Sequence, residues 1–103
     1  MKDINQMLDE KSAVYGDFKG GCMTRHYIVD IINQRHRETH GGEDMPSLYL
    51  EFVWDIANKL SRIAVTPNHV DSWVDIAGYS SLIVHSLEYI LSMAGEKEPN
   101  NAS

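Results

Sequence analysis

Two pairs of acids and one pair of bases stand at spacings that suit phosphate chemistry. Glu51 and Asp55 lie four residues apart, and so do Asp71 and Asp75. Side chains four apart on a helix project from one face, so each pair presents two carboxylates together. Carboxylates from two neighbouring helices are hard oxygen donors of the kind that hold Mg²⁺. Such an ion would bridge phosphate oxygens and activate water for attack. Lys59 and Arg62, between the two acid pairs, would neutralise phosphate, and Trp73 or Tyr79 would flank a base.

The same residues admit an arrangement without metal. Counted outward from the turn near Pro67 at about 1.5 Å per residue, Asp71 falls level with Arg62 or Ile63 and Asp75 level with Lys59, while Asp55 lies roughly 6 Å farther out. That register predicts an interhelical ladder of Asp71 with Arg62 and Asp75 with Lys59. Exposed rungs of this kind contribute about 0–1 kcal/mol each.

Other chemistry is weakly supported. His36 and His40, four apart with Glu43 and Asp44 nearby, have the look of a zinc cluster, but His40 sits at a helix end and no cysteine pair supports it. Cys22 has no recognisable histidine and acid partners for thiol catalysis. There is no P-loop and no nucleophile elbow.

The elements that must position these residues are helical. Ile4, Met7, Leu8 and Val14 give a first helix over about Asp3 to Val14, broken by Tyr15-Gly16-Asp17-Phe18, with Gly20-Gly21 keeping the break open. Met23, Tyr27, Ile28, Ile31 and Ile32 form a narrow apolar stripe on a second helix, from about Met23 to Thr39, and its basic end suits a helix C-terminus. A third, from Pro46 or Ser47 to about Val65, has a broad apolar face that includes Phe52, Val53, Ile56, Leu60 and Ile63. Thr66-Pro67-Asn68 stops it and starts the fourth, with Thr66 or Asn68 as cap; this helix runs from about Val70 to Met93, with Gly95 as its C-terminal cap. Ala77, Gly78, Ser80 and Ser81 make a small-residue patch that lets another helix approach. Gly78 costs about 1 kcal/mol relative to Ala inside a helix, so a packing or ligand reason is expected for it. The fold class is therefore all-α: a compact antiparallel bundle of about four helices in one domain over residues 1–95, followed by a disordered polar tail over 96–103.

Bulk properties narrow the function. The chain has 103 residues and a net charge of −6 from 15 acids and 9 bases. That balance disfavours binding to nucleic-acid backbones. No apolar run is long enough to span a membrane, and no apolar signal core follows Met1. One cysteine allows no internal disulfide, which suits a reducing cytoplasm. The small size and the thin stripe of the second helix favour a homodimer.

Three segments together carry a family resemblance: Glu10 to Phe18, Ile56-Ala57-Asn58-Lys59-Leu60-Ser61-Arg62-Ile63, and Pro67 to Tyr79, which contains Asp71-x-Trp73-x-Asp75-Ile76-Ala77-Gly78-Tyr79. In order and spacing they resemble a family of small proteins of tailed bacteriophages and prophages. More remotely, the layout is similar to a nucleotide-modification-associated phage domain and to the all-α MazG-like nucleoside triphosphate pyrophosphohydrolases. That resemblance implies a MazG-like bundle that dimerises and a phage-encoded nucleotide-binding protein of a bacterial host cytoplasm. In its fullest form it implies Mg²⁺-dependent pyrophosphohydrolysis, with Glu51, Asp55, Asp71 and Asp75 on metal and Lys59, Arg62, Trp73 and Tyr79 on nucleotide. The contrasting expectation is a small acidic phage protein that binds and inhibits a host defence or replication component without catalysis.

Overall fold

The computed structural model describes residues 3–95, and the expected polar tail over 96–103 lies outside them. Four helices account for almost all of this span: α1 (Ile4–Tyr15), α2 (Phe18–Thr39), α3 (Ser47–Val65) and α4 (Val70–Met93). The described residues contain no strand, so the all-α expectation holds. The central element is α3, against which α1, α2 and α4 each pack.

Helix α2 begins at Phe18, earlier than the expected start near Met23. Gly20-Gly21 do not prolong the break; they lie in the first turn of α2. Asp17 is the reason. Its backbone is extended, and its carboxylate accepts a 2.7 Å hydrogen bond from the Gly20 N–H, satisfying one of the donors that a helix start leaves unpaired. The break is therefore only two residues long. Its Gly16 has φ +82°, and a Cβ there would stand 2.8 Å from Cγ2 of Val65. Only glycine meets both demands, left-handed backbone and close approach to the end of α3.

The start of α1 is stapled by Asp3 and Gln6, each side chain accepting from the other's backbone N–H, a reciprocal capping box. The start of α4 corrects a second expectation. Neither Thr66 nor Asn68 caps it; His69 holds that position without a side-chain cap bond. Thr66 is occupied elsewhere, its hydroxyl donating to the Val14 carbonyl near the end of α1. At the other end Gly95 adopts φ +71° and its N–H donates to the Ser92 carbonyl, the glycine stop that the sequence predicts.

Between α2 and α3 the loop is tied down by Asp44, which accepts from Arg37 at 2.8 Å and from Asn33 at 3.3 Å. The Asn33 carboxamide also accepts the Met45 N–H. The bond from Arg37 is the main reason that the Asp44 carboxyl lies below its ordinary pKa of 3.8, with Arg37's charge and Asn33 adding to it.

Burial is thin. Among the described residues the buried apolar side chains are Val29 of α2 and Ala57 of α3. Much of α2's predicted stripe, Met23, Tyr27 and Ile31, is exposed.

Gly16→Ala is expected to destabilise the fold by about 1–3 kcal/mol, from left-handed strain and the clash with Val65, read as a lower urea midpoint. A lowered folded-state pKa means that Asp44's contribution is complete above pH 3.8 and is lost as pH falls through the lowered value. NMR titration of its carboxyl should show that low value, and Arg37→Ala should return it towards the ordinary one.

Candidate functional site

The structure separates the predicted site residues into two places. On the α3–α4 side, Lys59 Nζ lies 2.9 Å from Asp75 Oδ2 and 5.9 Å from the centroid of the Tyr79 ring. Asp75 and Tyr79 are one turn apart on α4, so a single ammonium engages both. The Lys59 side chain is only 10% exposed and Asp75 is 48% exposed. The burial cost thus falls on the lysine, while water screens the acid. The predicted Asp75–Lys59 rung exists.

The predicted Asp71–Arg62 rung does not form. Arg62 turns towards α1 and lays its guanidinium 4.5 Å over the Tyr15 ring. Tyr15 in turn meets the His69 ring edge-on at 5.6 Å, and His69 Nδ1 is 2.9 Å from the Ser72 hydroxyl. A chain of contacts thus runs from α3 through α1 to the first turn of α4. Trp73 also serves the turn, its indole N–H donating to the Pro67 carbonyl at 2.8 Å.

The four acids are not gathered. Glu51, Asp55 and Asp71 are exposed, Asp75 faces Lys59, and among the described residues no three His, Cys, Asp or Glu side chains converge to hold a metal ion. As arranged here they do not form an Mg²⁺ site. The His36–His40 pair stacks ring on ring at 3.8 Å while Asp44 is held by Arg37, so no zinc-like cluster forms either.

The second place is a cleft of about 500 Å³ where the α1–α2 bend meets α2 and α3. Of its residues, the sequence marks only Arg62 as a site candidate. Lys11 and Arg25 join Arg62 in its lining, so three of the chain's nine bases gather in a protein of net charge −6. Tyr15 and Phe18 supply rings, and Asn58 a carboxamide. Arg25 is pre-oriented, with Nη1 donating to Asn58 Oδ1 at 3.3 Å and Nη2 to Cys22 Sγ at 2.9 Å. Asn58 and Arg62 are four apart on α3 and so share a face. The one acid in the lining, Asp17, is engaged by the N–H of Gly20. Guanidinium groups present fixed donor forks that match phosphate oxygens, and the cleft volume falls within the range of small-molecule sites.

Comparison with known proteins finds no matching family model, no matching curated protein and no matching solved structure. The functional reading therefore rests on the geometry of the cleft and the pattern of the motifs.

Asp75→Asn should destabilise the chain by about 1–3 kcal/mol, because it leaves a buried ammonium without its counter-charge. Lys59→Met, which removes the buried charge but keeps the stem, should cost less; urea unfolding of both variants checks the order.

Proposed function

We propose that the protein binds a nucleotide through its phosphates in the cleft at the α1–α2 bend. The observation that carries this reading is the convergence of Lys11, Arg25 and Arg62 on one ligand-sized cleft of an otherwise acidic chain. Phosphate oxygens would accept from the two guanidinium groups, and the Phe18 ring at the cleft offers a face for a base. Arg62 keeps the phosphate role that the resemblance implies. Lys59, Trp73 and Tyr79 act instead on the α3–α4 pairing and its turn. The proposed activity is binding: hydrolysis would need a metal set that the four acids do not make in this arrangement.

Isothermal titration calorimetry with nucleoside mono-, di- and triphosphates and with inorganic phosphate, each with and without Mg²⁺, tests the proposal. Arg25→Gln and Arg62→Gln should each weaken binding about tenfold or more, the scale of one lost charge-assisted hydrogen bond. Asp71→Asn should leave affinity unchanged. Absence of heat with every nucleotide would remove the reading. Binding that survives both arginine changes but is lost in Lys59→Met would move the site to the α3–α4 side.

A further inference from the structure

Three glycines stand inside helices of the described residues: Gly20 and Gly21 in α2, and Gly78 in α4. Glycine is a poor helix former, and none of the three has the positive φ that would require it. Each therefore needs another reason. Gly20 has one in the helix cap, since a Cβ there would stand 2.7 Å from Asp17 Oδ1. For Gly78 the expected packing reason is not found among the described residues, as a Cβ there would meet nothing within 4 Å.

Gly21 differs from both. It lines the cleft, and a Cβ there would meet a single group, Arg25 Nη1 at 3.7 Å. That is an ordinary van der Waals distance, so nothing in the chain itself forbids a side chain. Gly21 and Arg25 are four apart on α2 and share a face. The N–H of Gly21 already donates to the Asp17 carbonyl at 3.0 Å. What glycine leaves at this position is therefore space beside a guanidinium, not a free donor.

The guanidinium is fixed where that space opens. Asn58 of α3 holds Nη1 and Cys22 holds Nη2, which uses two of the five N–H donors of an arginine. A phosphate oxygen bonded to such a group comes to about 2.7–2.9 Å. A methyl group 3.7 Å from Nη1 would stand beside that oxygen and take up part of the room a tetrahedral anion needs.

We propose, resting on phosphate binding in this cleft, that Gly21 is the seat of the ligand's phosphate group. The phosphate lies against Arg25 in the space that a side chain at position 21 would fill. Lys11 of α1 and Arg62 of α3 meet it from the other walls. The nucleoside extends towards Phe18, which lies three residues earlier on the same face of α2 and is 81% exposed. Gly21 thus decides what fits beside the arginine, although it gives the ligand no hydrogen bond.

Gly21→Ala and Gly21→Leu test the seat, because both residues favour helix over glycine while they fill the space. NMR titration with inorganic phosphate and with a nucleoside monophosphate should show Gly21→Ala binding each about tenfold more weakly, the scale of one charge-assisted hydrogen bond. Gly21→Leu should bind more weakly still. Both probes should lose the same factor, since the change acts where the phosphate sits. The urea midpoint of Gly21→Ala should stay at or above that of the unchanged chain, so that stability and affinity part company. Gly78→Ala, the same change on an exposed stretch of α4, should leave affinity unchanged. Unaltered affinity in Gly21→Ala overturns the seat, and phosphate binding in the cleft then still stands if Arg25→Gln weakens it. A loss for the nucleotide but not for inorganic phosphate overturns the seat too, because the base would then lie at Gly21. So does a loss accompanied by a lower urea midpoint. If neither probe binds the unchanged chain, the seat and the cleft reading fall together. Should Gly21→Leu fail to fold, Gly21→Ala decides by itself.

Discussion

Everything in this molecule depends on α3 touching all three other helices. In an ordinary bundle each helix shares its apolar stripe with two neighbours, and the core lies between them. Here α1, α2 and α4 each dock on the same rod, and the burial of apolar side chains is correspondingly thin. That constraint explains the sequence of α3, which carries apolar residues over a broad arc and places its polar ones where they are used: Lys59 for α4, Arg62 for α1, Asn58 for α2. A lysine buried at the centre of such a hub is costly unless its charge is met, and Asp75 meets it from the next helix.

The helices were legible in the sequence because their signals are local. Apolar spacing located α3 and α4 closely, and Gly95 marked the end of α4. The Asp75–Lys59 rung was also legible, since a tight turn fixes the register of two antiparallel helices. Arg62 was not, because counting from the turn treats α3 and α4 as an isolated pair. Tyr15 comes from α1, some fifty positions earlier, and competes for the guanidinium. The start of α2 is hidden from the sequence pattern for a similar reason. Two glycines argue for a break on propensity alone, but the Asp17 carboxylate stabilises the helix start and carries them inside it.

The cleft illustrates the same limit. Lys11, Tyr15, Arg25, Asn58 and Arg62 come from three helices and share no spacing that a single segment reveals. The available clue was the Tyr15-Gly16-Asp17-Phe18 turn itself, a sharp bend with rings on either side and bases within one or two helical turns. By contrast, the Asp71–Tyr79 segment reads as a chemical motif, and three of its side chains make contacts that hold helices and turn together. Trp73 fastens the turn, while Asp75 and Tyr79 receive Lys59. The candidate chemistry lies at the other side of α3.

The bond from the Thr66 hydroxyl to the Val14 carbonyl spans 52 positions in the chain, and it bears on the order in which the protein assembles. Helices α2, α3 and α4 are joined by short connections to neighbours they touch, so their association closes only small loops. The α1 contacts, by contrast, need both the α1–α2 bend and the finished end of α3 before Thr66 and Val65 have anything to meet. Docking of α1 on the end of α3 therefore closes the longer loop. Leu8, Lys11 and Tyr15 of α1 line the cleft, so the cleft is complete only with α1 docked, and release of α1 alone would count as local unfolding.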